Sequence, residues 1–333
     1  MESTANKLKH AVKDLFQENK VEIFLGYEQG TLPFRTRMAE IKRIDDADRL
    51  IWDSFCLNSL ATYLPQYFTR KLFLRRGQVQ TFPKVGVAAK GCDYRAIMLL
   101  AREHQIVRDH VIIVGIPCQG MVDLKKIAAA LGGQDVSSYE EGADGTITVT
   151  LAAGQRETLK KEDVLAEACK ECQFPAPEGA DVLLAGAARK AAVQRYGRVK
   201  QFEAKTPEER RQYFEQEFAK CIRCNACRQA CPTCYCKECF ADQTRPRWVG
   251  IGNRLADVLF FHIGRIMHQA GRCVECDACV RACPMGIDLR TFTNVMGRNV
   301  EAMFDYLPGP STTEISPLLT FQEEEDQSFI TEP

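Results

Sequence analysis

Two cysteine runs of identical spacing lie in the C-terminal third of this chain of 333 residues. The first reads CIRCNACRQACP from Cys221, and the second reads CVECDACVRACP from Cys273. Both follow the pattern C-x2-C-x2-C-x3-C-P, in which three closely spaced thiolates surround one cuboidal cluster. One run alone is compatible with a zinc site or with core cysteines. Two complete runs predict two 4Fe–4S clusters, which soft thiolate ligands favour.

Each cluster is predicted to take its fourth ligand from the other run, as in two-cluster ferredoxins. The two predicted ligand sets are Cys221, Cys224, Cys227 and Cys283, and Cys273, Cys276, Cys279 and Cys231. The first cysteines of the runs lie 52 positions apart, which is wider than in a minimal ferredoxin, and the insert includes a predicted helix at 254–268. The sequence thus predicts a helical two-cluster ferredoxin-like domain at 197–307.

The N-terminal residues 1–196 are predicted to form an α/β core with a mixed or parallel sheet. Val85–Ala89 and Val111–Gly115 have the composition of buried strands, and a predicted helix follows each one. Repeated strand, turn and helix units of this kind predict parallel strands. Other strands are predicted at 21–26, 146–151 and 181–184, and helices at 6–17, 94–101 and 121–131.

Four more cysteines are associated with this core. Cys92 and Cys118 follow the two buried strands, where open α/β sheets bind their ligands. Cys169 and Cys172 form a C-x2-C pair. Spacing alone leaves three interpretations open: a four-ligand metal site, redox thiols, or unrelated core cysteines.

Three stretches resemble the beta-subunit family of coenzyme F420 (deazaflavin) hydrogenases and formate dehydrogenases. They are VAAKGCDYRAI at 87–97, VGIPCQG at 114–120 and CKECQFPAPEGADVLLAG at 169–186. The resemblance covers roughly residues 10–305 and is closest to the longer, formate dehydrogenase beta subunit-like members, which carry a two-cluster ferredoxin domain. It implies a third 4Fe–4S cluster, beside a bound FAD, with the ligands Cys92, Cys118, Cys169 and Cys172.

The resemblance also implies where FAD binds. NSLATY at 58–63 resembles a family segment near the flavin, which makes Asn58 and Thr62 candidate cofactor-binding residues. Lys90 and Arg95 flank Cys92 and are candidates for bonding the flavin or for neutralising the charge of a cluster. The start of a core helix at 58–63 and ordinary solvated charges at Lys90 and Arg95 are the alternatives.

Cys234, Cys236 and Cys239 follow the first run directly. A further metal site (with Cys56, for example), a redox-active thiol pair and structural thiols near a cluster all fit this density of cysteines. Cys56 taken alone has the character of a buried apolar side chain.

Composition limits the class of protein. Lys plus Arg and Asp plus Glu both number 44, and this balance argues against a nucleic-acid binder. No apolar stretch approaches the ~20 residues of a membrane span, and the polar start is not that of a signal peptide. Sixteen cysteines without an export signal predict metal ligands or redox thiols in a cytoplasmic protein. Residues 308–333 are predicted to be an acidic tail that is mobile or orders on a partner.

Taken together, the sequence predicts an electron-transfer subunit of a multi-subunit anaerobic oxidoreductase. Its expected partners are a catalytic subunit of formate dehydrogenase or hydrogenase type and an acceptor, which is a heterodisulfide-reductase-like complex, a ferredoxin or a deazaflavin. The alternative is a self-contained flavin-dependent dehydrogenase or reductase that acts on a deazaflavin coenzyme. A third hypothesis is a protein whose clusters are structural. No catalytic side chain is predicted.

Overall fold

The computed structural model describes residues 2–69, 80–142, 144–310, 314 and 316–317. The strands are β1 Ile23–Gln29, β2 Thr36–Ile41, β3 Val85–Ala89, β4 Val111–Gly115, β5 Val136–Glu141, β6 Thr146–Leu151, β7 Arg156–Lys160 and β8 Val182–Leu183. The helices are α1 Thr4–Gln17, α2 Gly91–Arg102, α3 Leu124–Ala130, α4 Glu167–Lys170, α5 Gly197–Glu203, α6 Pro207–Ala219, α7 Ala226–Gln229, α8 Leu255–His268, α9 Ala278–Ala282 and α10 Leu289–Phe304. Short 3-10 turns occupy Ile44–Arg49, Leu60–Tyr63, Pro65–Phe68 and Arg108–His110.

The main sheet has the strand order β2-β1-β3-β4-β8. β1, β3, β4 and β8 are parallel, with Leu25 opposite Val87 and Val87 opposite Ile113, whereas β2 is an antiparallel edge strand. β3 is buried along its whole length because the sheet is covered on both faces, which explains its continuous run of apolar residues. The predicted mixed sheet is therefore confirmed.

Helix α1 covers one face of this sheet. Its N terminus is capped by the Ser3 side chain, which accepts a hydrogen bond from the Asn6 amide. Leu8, Val12 and Leu15 recur at helical spacing and are buried in the main core. The amphipathic pattern of the segment is thus sufficient to place the helix.

A second sheet, β5-β6-β7, is antiparallel. In β6, Ile147, Val149 and Leu151 are buried and alternate with partly exposed residues, as expected of a strand with one face on a core. The strand predicted at 146–151 exists, but it belongs to this separate sheet and not to the parallel one.

The C-terminal region is helical, and its core contains Phe218, Phe261 and Phe292. Thr206 and Glu209 form a capping box at the start of α6. The predicted fold class, an α/β core followed by a helical dicluster region, is confirmed. No helix within the described part of the chain is long and apolar enough to cross a membrane.

Most of the predicted acidic tail at 308–333 lies outside the described residues. Its first residues pack on the α/β core, where the carbonyl oxygen of Pro308 accepts a hydrogen bond from Arg95 Nε (2.8 Å). The division of the chain at 196/197 stays a prediction, and α5 begins at Gly197.

Candidate metal centres

Cys92, Cys118, Cys169 and Cys172 surround one cavity at the carboxyl edge of the main sheet, which we call the sheet-edge cavity. Cys92 lies in the first turn of α2 directly after β3, and Cys118 follows β4. Cys169 lies in α4, and Cys172 follows Glu171, the C-cap of this helix. Parallel strands bring their carboxyl ends to one edge, so segments far apart in sequence meet here. The cavity has a volume of about 60 Å³.

Backbone amides point at the sulfur atoms of the sheet-edge cavity. The amide of Gly120 donates to Cys118 Sγ (3.3 Å), and the amide of Met121 donates to Cys169 Sγ (3.2 Å). Such bonds favour the ligating thiolate and tune a bound cluster. Helix α2 can approach this closely because Gly91 has no side chain: a Cβ there would lie 1.7 Å from the carbonyl oxygen of Phe174.

The thiols of this cavity are buried beside one another. Burial raises the pKa of Cys92 well above its ordinary value and raises the pKa of Cys118 to about 12. Thiols of this kind ionise when a metal takes the place of the proton. The same cavity is lined by five cationic side chains that can compensate the charge of thiolates and a cluster: Lys90, Arg95, Arg189, Arg195 and Arg281.

The two C-terminal runs cross over as predicted from their spacing. Cys231, from the first run, lines a small cavity with Cys273, Cys276 and Cys279 from the second; we call it the run cavity. Cys283, from the second run, lies among the cysteines of the first. Burial raises the pKa of Cys227, and the nearby thiols of Cys221, Cys283 and Cys224 raise it further, which places Cys283 in this group. The structure thus brings together both predicted sets, while ligation by them stays a prediction.

The loops of the two runs have the same backbone conformation. Arg223 and Asn225 in the first run have φ of 56° and 59°, and Glu275 and Asp277 at the equivalent positions of the second have φ of 59° and 57°. Left-handed residues at these positions turn successive amides inward, which forms the concave anion site found around many iron–sulfur clusters. Asn and Asp are among the residues that adopt this conformation most readily.

Three buried arginines that line these cavities have unpaired donors. Arg265 Nε and Nη1 and Arg290 Nε, beside the run cavity, have no hydrogen-bond partner among the described residues, and neither does Arg95 Nη2 beside the sheet-edge cavity. All three side chains are at most 4% exposed. A buried N–H donor without an acceptor is costly, so these donors fit anionic sulfur groups in both cavities. The residues present therefore suit 4Fe–4S clusters.

The sheet-edge cavity and the run cavity share a wall. Val274, Glu275 and Cys276 line both of them. The wall is held to the α/β core by an ion pair between Arg195 and Glu275 and by a bond from Arg95 Nη1 to the Val274 carbonyl oxygen (3.2 Å). Two candidate centres from different regions of the chain are consequently direct neighbours.

The four candidate flavin residues do not share one cavity. Asn58 and Thr62 line a space of about 770 Å³, which we call the side cavity, together with Arg281 and Cys283. Arg95 and Lys90 line the sheet-edge cavity instead. Both are buried, so neither is an ordinary solvated charge.

Lys90 is fully engaged within the fold. Its Nζ donates to Tyr27 Oη (2.6 Å) and to the Cys56 carbonyl oxygen (3.0 Å), and it pairs with Asp93 (2.9 Å). These contacts join β1, the 56–58 segment and α2. Lys90 therefore has a structural role at the sheet edge, and its charge lies beside the candidate centre.

Sequence reasoning missed the functional character of α8. Its buried face carries His262, whose Nε2 lies 3.3 Å from Cys221 Sγ, and Arg265, which donates to the Cys227 carbonyl oxygen (3.0 Å). Burial, with the nearby Arg265 and Arg223, lowers the pKa of His262 to about 3, so its ring is neutral. The sequence signal that could have indicated this contact is the spacing of His262 and Arg265, which places both on one face of a helix between the runs.

Cys234, Cys236 and Cys239 line another cavity, of about 390 Å³, which we call the thiol cavity. Cys56 is not with them, since it is buried in the α/β core with its sulfur 3.5 Å from Asp53 Oδ1. In the described ranges, no three His, Cys, Asp or Glu side chains are arranged to hold a metal ion. A cuboidal cluster differs from a single ion because its four cysteines bind four separate irons.

Two family models match the two regions just described. One describes the C terminus of the coenzyme F420 hydrogenase/dehydrogenase beta subunit and matches residues 82–199, which contain the sheet-edge cysteines. The other describes a 4Fe–4S dicluster domain and matches residues 217–287. Residues 82–199 of the chain thus match the C-terminal domain of the coenzyme F420 hydrogenase/dehydrogenase beta subunit. The resemblance noted in the sequence is thereby confirmed, and the dicluster domain makes the chain an iron–sulfur protein.

Individual relatives are distant. The chain is 25% identical, over 281 residues, to the F420-dependent formate dehydrogenase subunit beta of Methanocaldococcus jannaschii, covering 68% of this chain and 74% of that protein. It is 26% identical to the F420-dependent formate dehydrogenase 1 subunit beta of Methanococcus maripaludis, covering 56% and 63%. Among solved structures, a chain of the F420-reducing [NiFe] hydrogenase complex from Methanosarcina barkeri matches with 17% identity and a TM-score of 0.38, covering 52% of this chain and 60% of that one.

Proposed function

We propose that this protein is the electron-transfer beta subunit of an oxidoreductase complex of the F420-dependent formate dehydrogenase or hydrogenase type. The observation that carries the proposal is the shared wall at Val274, Glu275 and Cys276 between the sheet-edge cavity and the run cavity. Adjacent cluster sites in one chain are what a relay needs. The names of the two relatives support the class of complex.

The proposed ligand sets are those of the sequence, one for each 4Fe–4S cluster: Cys92, Cys118, Cys169 and Cys172; Cys273, Cys276, Cys279 and Cys231; Cys221, Cys224, Cys227 and Cys283. When bound, the clusters supply one-electron transfer. The chain's own part is to hold the thiolates, to exclude water and to compensate negative charge. Arg95, Arg265 and Arg290 serve the last role, because each keeps at least one buried donor that has no acceptor among the described residues.

We further propose that FAD binds in the side cavity at Asn58 and Thr62. A volume of about 770 Å³ is in the range of small-molecule sites, and the buried hydroxyl of Ser59 in its lining has no hydrogen-bond partner among the described residues. FAD converts two-electron chemistry into one-electron steps when bound. Flavin content of the anaerobically purified chain, compared between the wild type and Thr62→Val, tests the assignment.

The outer face of α8 suits a partner protein. Phe260, Ile263 and Met267 form an exposed stripe at helical spacing, and they are 52%, 48% and 53% exposed. Residues 220–272 contain nine Lys and Arg but three Asp and Glu, although the whole chain is neutral. The inner face of the same helix contacts the first run through His262. We infer that a redox partner with an apolar centre and an acidic rim docks here.

The test of the relay is reduction by a catalytic partner. The reconstituted chain is mixed anaerobically with a formate-reduced formate dehydrogenase catalytic subunit, and the visible absorbance of the iron–sulfur centres is followed by stopped flow. Bleaching that requires both formate and the catalytic subunit is expected. If reduced F420 bleaches the chain at a comparable rate, and the isolated chain then turns over an artificial acceptor without another subunit, the self-contained reductase is the correct function instead.

A further inference from the structure

The thiol cavity contains cysteines that the three proposed cluster sites do not use. Cys236 is exposed, whereas Cys234 and Cys239 are half-buried. Cys236 and Cys239 enclose Lys237 and Glu238 in a C-x-x-C sequence, the spacing of many redox-active dithiols. The pair lies on the surface insert between the runs, so it is open to small molecules.

The arrangement does not suit a metal. A 4Fe–4S cluster takes four cysteines, and this cavity offers three, of which Cys234 is hydrogen-bonded to the thiol of Cys231. A single ion needs several ligands at about 2.3 Å, and no three candidate ligands in the described part of the chain meet such a requirement. Cys236 and Cys239 are left without an evident metal function.

The two cysteines of the pair differ in the way that thiol–disulfide exchange requires. Cys236 is exposed and available for attack, whereas Cys239 is half-buried and accepts a hydrogen bond from the Arg228 guanidinium. An exposed attacking thiol and a sheltered resolving thiol are the usual division of roles in such pairs.

The pair is also connected to the run cavity. Cys234 links the thiol cavity to the run cavity, because its thiol contacts that of Cys231 and accepts a hydrogen bond from Gln269 Nε2 (3.4 Å). Arg265 lines both the thiol cavity and the run cavity. The thiol cavity is thus a direct neighbour of the run cavity, since Thr233 and Gln269 also line both.

We propose that Cys236 and Cys239 form a redox-active pair that reduces a small anionic disulfide; the supply of electrons rests on the proposed relay. Four cations line the cavity, Arg228, Lys237, Arg265 and Arg272, against the single carboxylate of Asp242. Arg228 pairs with Asp242 and Arg272 with Glu103, so the anionic class follows from the cationic excess that Lys237 and Arg265 leave. A volume of about 390 Å³ lies within the range of small-molecule sites.

The exchange conserves atoms and electrons at each step. The Cys236 thiolate attacks one sulfur of the substrate disulfide, the substrate S–S bond breaks, and one half leaves as a thiolate. The Cys239 thiolate attacks Cys236 Sγ of the mixed disulfide, which releases the second half and forms the Cys236–Cys239 bond. Two electrons, taken one at a time from the reduced iron–sulfur protein, and two protons from water restore both thiols.

The first experiment measures which cysteine thiols are modified by a disulfide. The anaerobic holoprotein, pre-reduced with dithiothreitol and desalted, is treated with glutathione disulfide, and alkylated peptides are mapped by mass spectrometry. We expect the wild type to lose two alkylation labels, at Cys236 and Cys239, and Cys239→Ser to retain a glutathione adduct on Cys236. Cys56→Ser, a variant of a buried cysteine elsewhere, serves as the matched control and should behave as the wild type.

The second experiment tests whether the substrate disulfide must be anionic, and it also tests the alternative that the cysteines bind a metal. Cystamine, a cationic disulfide, should react at least about tenfold more slowly than glutathione disulfide at low salt, and the difference should shrink in high salt. Equal rates would overturn the anionic class. Absence of the Cys236 adduct in Cys239→Ser, or stoichiometric zinc or extra iron that is lost in Cys236→Ser, would overturn the pair. Because the thiols are reduced chemically, a normal adduct with irreducible iron–sulfur centres refutes the relay and leaves the pair intact.

Discussion

At the scale of single residues, the buried arginines beside the cysteine cavities supply the positive charge that bound clusters need. Arg265 lines both the run cavity and the thiol cavity. Burial alone lowers the pKa of its guanidinium, but four nearby cysteines more than offset this and raise the pKa: Cys279, Cys227, Cys231 and Cys234. It therefore stays cationic and can stabilise additional negative charge on a reduced centre.

Removing this charge should lower a reduction potential. A bond from a charged donor contributes about 1.5–3 kcal/mol, and about 1.4 kcal/mol corresponds to about 59 mV for one electron. We therefore expect Arg265→Met to lower one iron–sulfur potential by about 65–125 mV in an anaerobic titration followed by electron paramagnetic resonance. Arg247→Met, at an exposed arginine, is the control. Unchanged potentials at normal iron content would show that Arg265 is not beside a cluster.

Gly91 should be required for the sheet-edge centre. A Cβ at this position meets the Phe174 carbonyl oxygen at 1.7 Å, so Gly91→Ala must displace backbone next to Cys92. Overpacking of this kind costs about 1–3 kcal/mol. We expect a lower midpoint in thermal unfolding and the loss of about four irons, while Gly186→Ala, where the added atom has only one neighbour at 3.9 Å, should match the wild type. Full iron content in Gly91→Ala would contradict this view of the cavity.

The sequence could predict the cysteines but not their surroundings. The spacing of the runs is sufficient to predict that Cys231 groups with Cys273 and that Cys283 groups with Cys221, because a cluster imposes this crossing. The position of Arg265 could not be predicted, since an arginine on a helix is ordinarily solvated. The structural role of Lys90 could not be predicted either, because it depends on hydrogen bonds to Tyr27 and the 56–58 segment, which are distant in sequence.

At the scale of elements, strands were predicted better than sheets. β3 and β4 are confirmed at Val85–Ala89 and Val111–Gly115 because fully buried strands have an unmistakable apolar run. β6 was predicted as a strand, but its membership of the antiparallel sheet depends on pairing with β5 and β7, whose polar sequences gave no signal. Helix α8 was predicted, whereas its division into a cluster-facing and an exposed apolar face needed the structure.

The exposed face of α8 should be required for partner binding and not for folding. Phe260→Glu with Ile263→Glu places charge on the apolar stripe, so we expect the affinity for the catalytic subunit to fall at least about tenfold, or ~1.4 kcal/mol, by calorimetry. Iron content should be normal because the other face of the helix holds the contacts to the run. Phe304→Glu, at an exposed apolar residue on α10, is the control. Equal affinities in all three proteins would place the partner elsewhere.

At the scale of the whole molecule, two regions are joined through the candidate centres themselves. Arg290 on α10 pairs with Glu171 beyond α4 (2.8 Å) and with Asp277 in the second run (3.2 Å). The Ala168 amide in turn donates to Asp277 Oδ2 (3.0 Å). The sheet-edge cavity and the run cavity are held side by side by this network, which explains why a family core and a dicluster domain act as one unit in the proposed relay.

The most direct test of the relay is the iron and sulfide content of the anaerobically reconstituted chain. Three cluster sites predict about 12 irons per wild-type chain and about 8 in Cys92→Ser, at four irons per cluster. Cys56→Ser, which alters a buried core cysteine away from the proposed ligand sets, should keep the wild-type content. A wild type with about 8 irons, and no difference from Cys92→Ser, would contradict the sheet-edge centre and with it the proposed relay between the two regions.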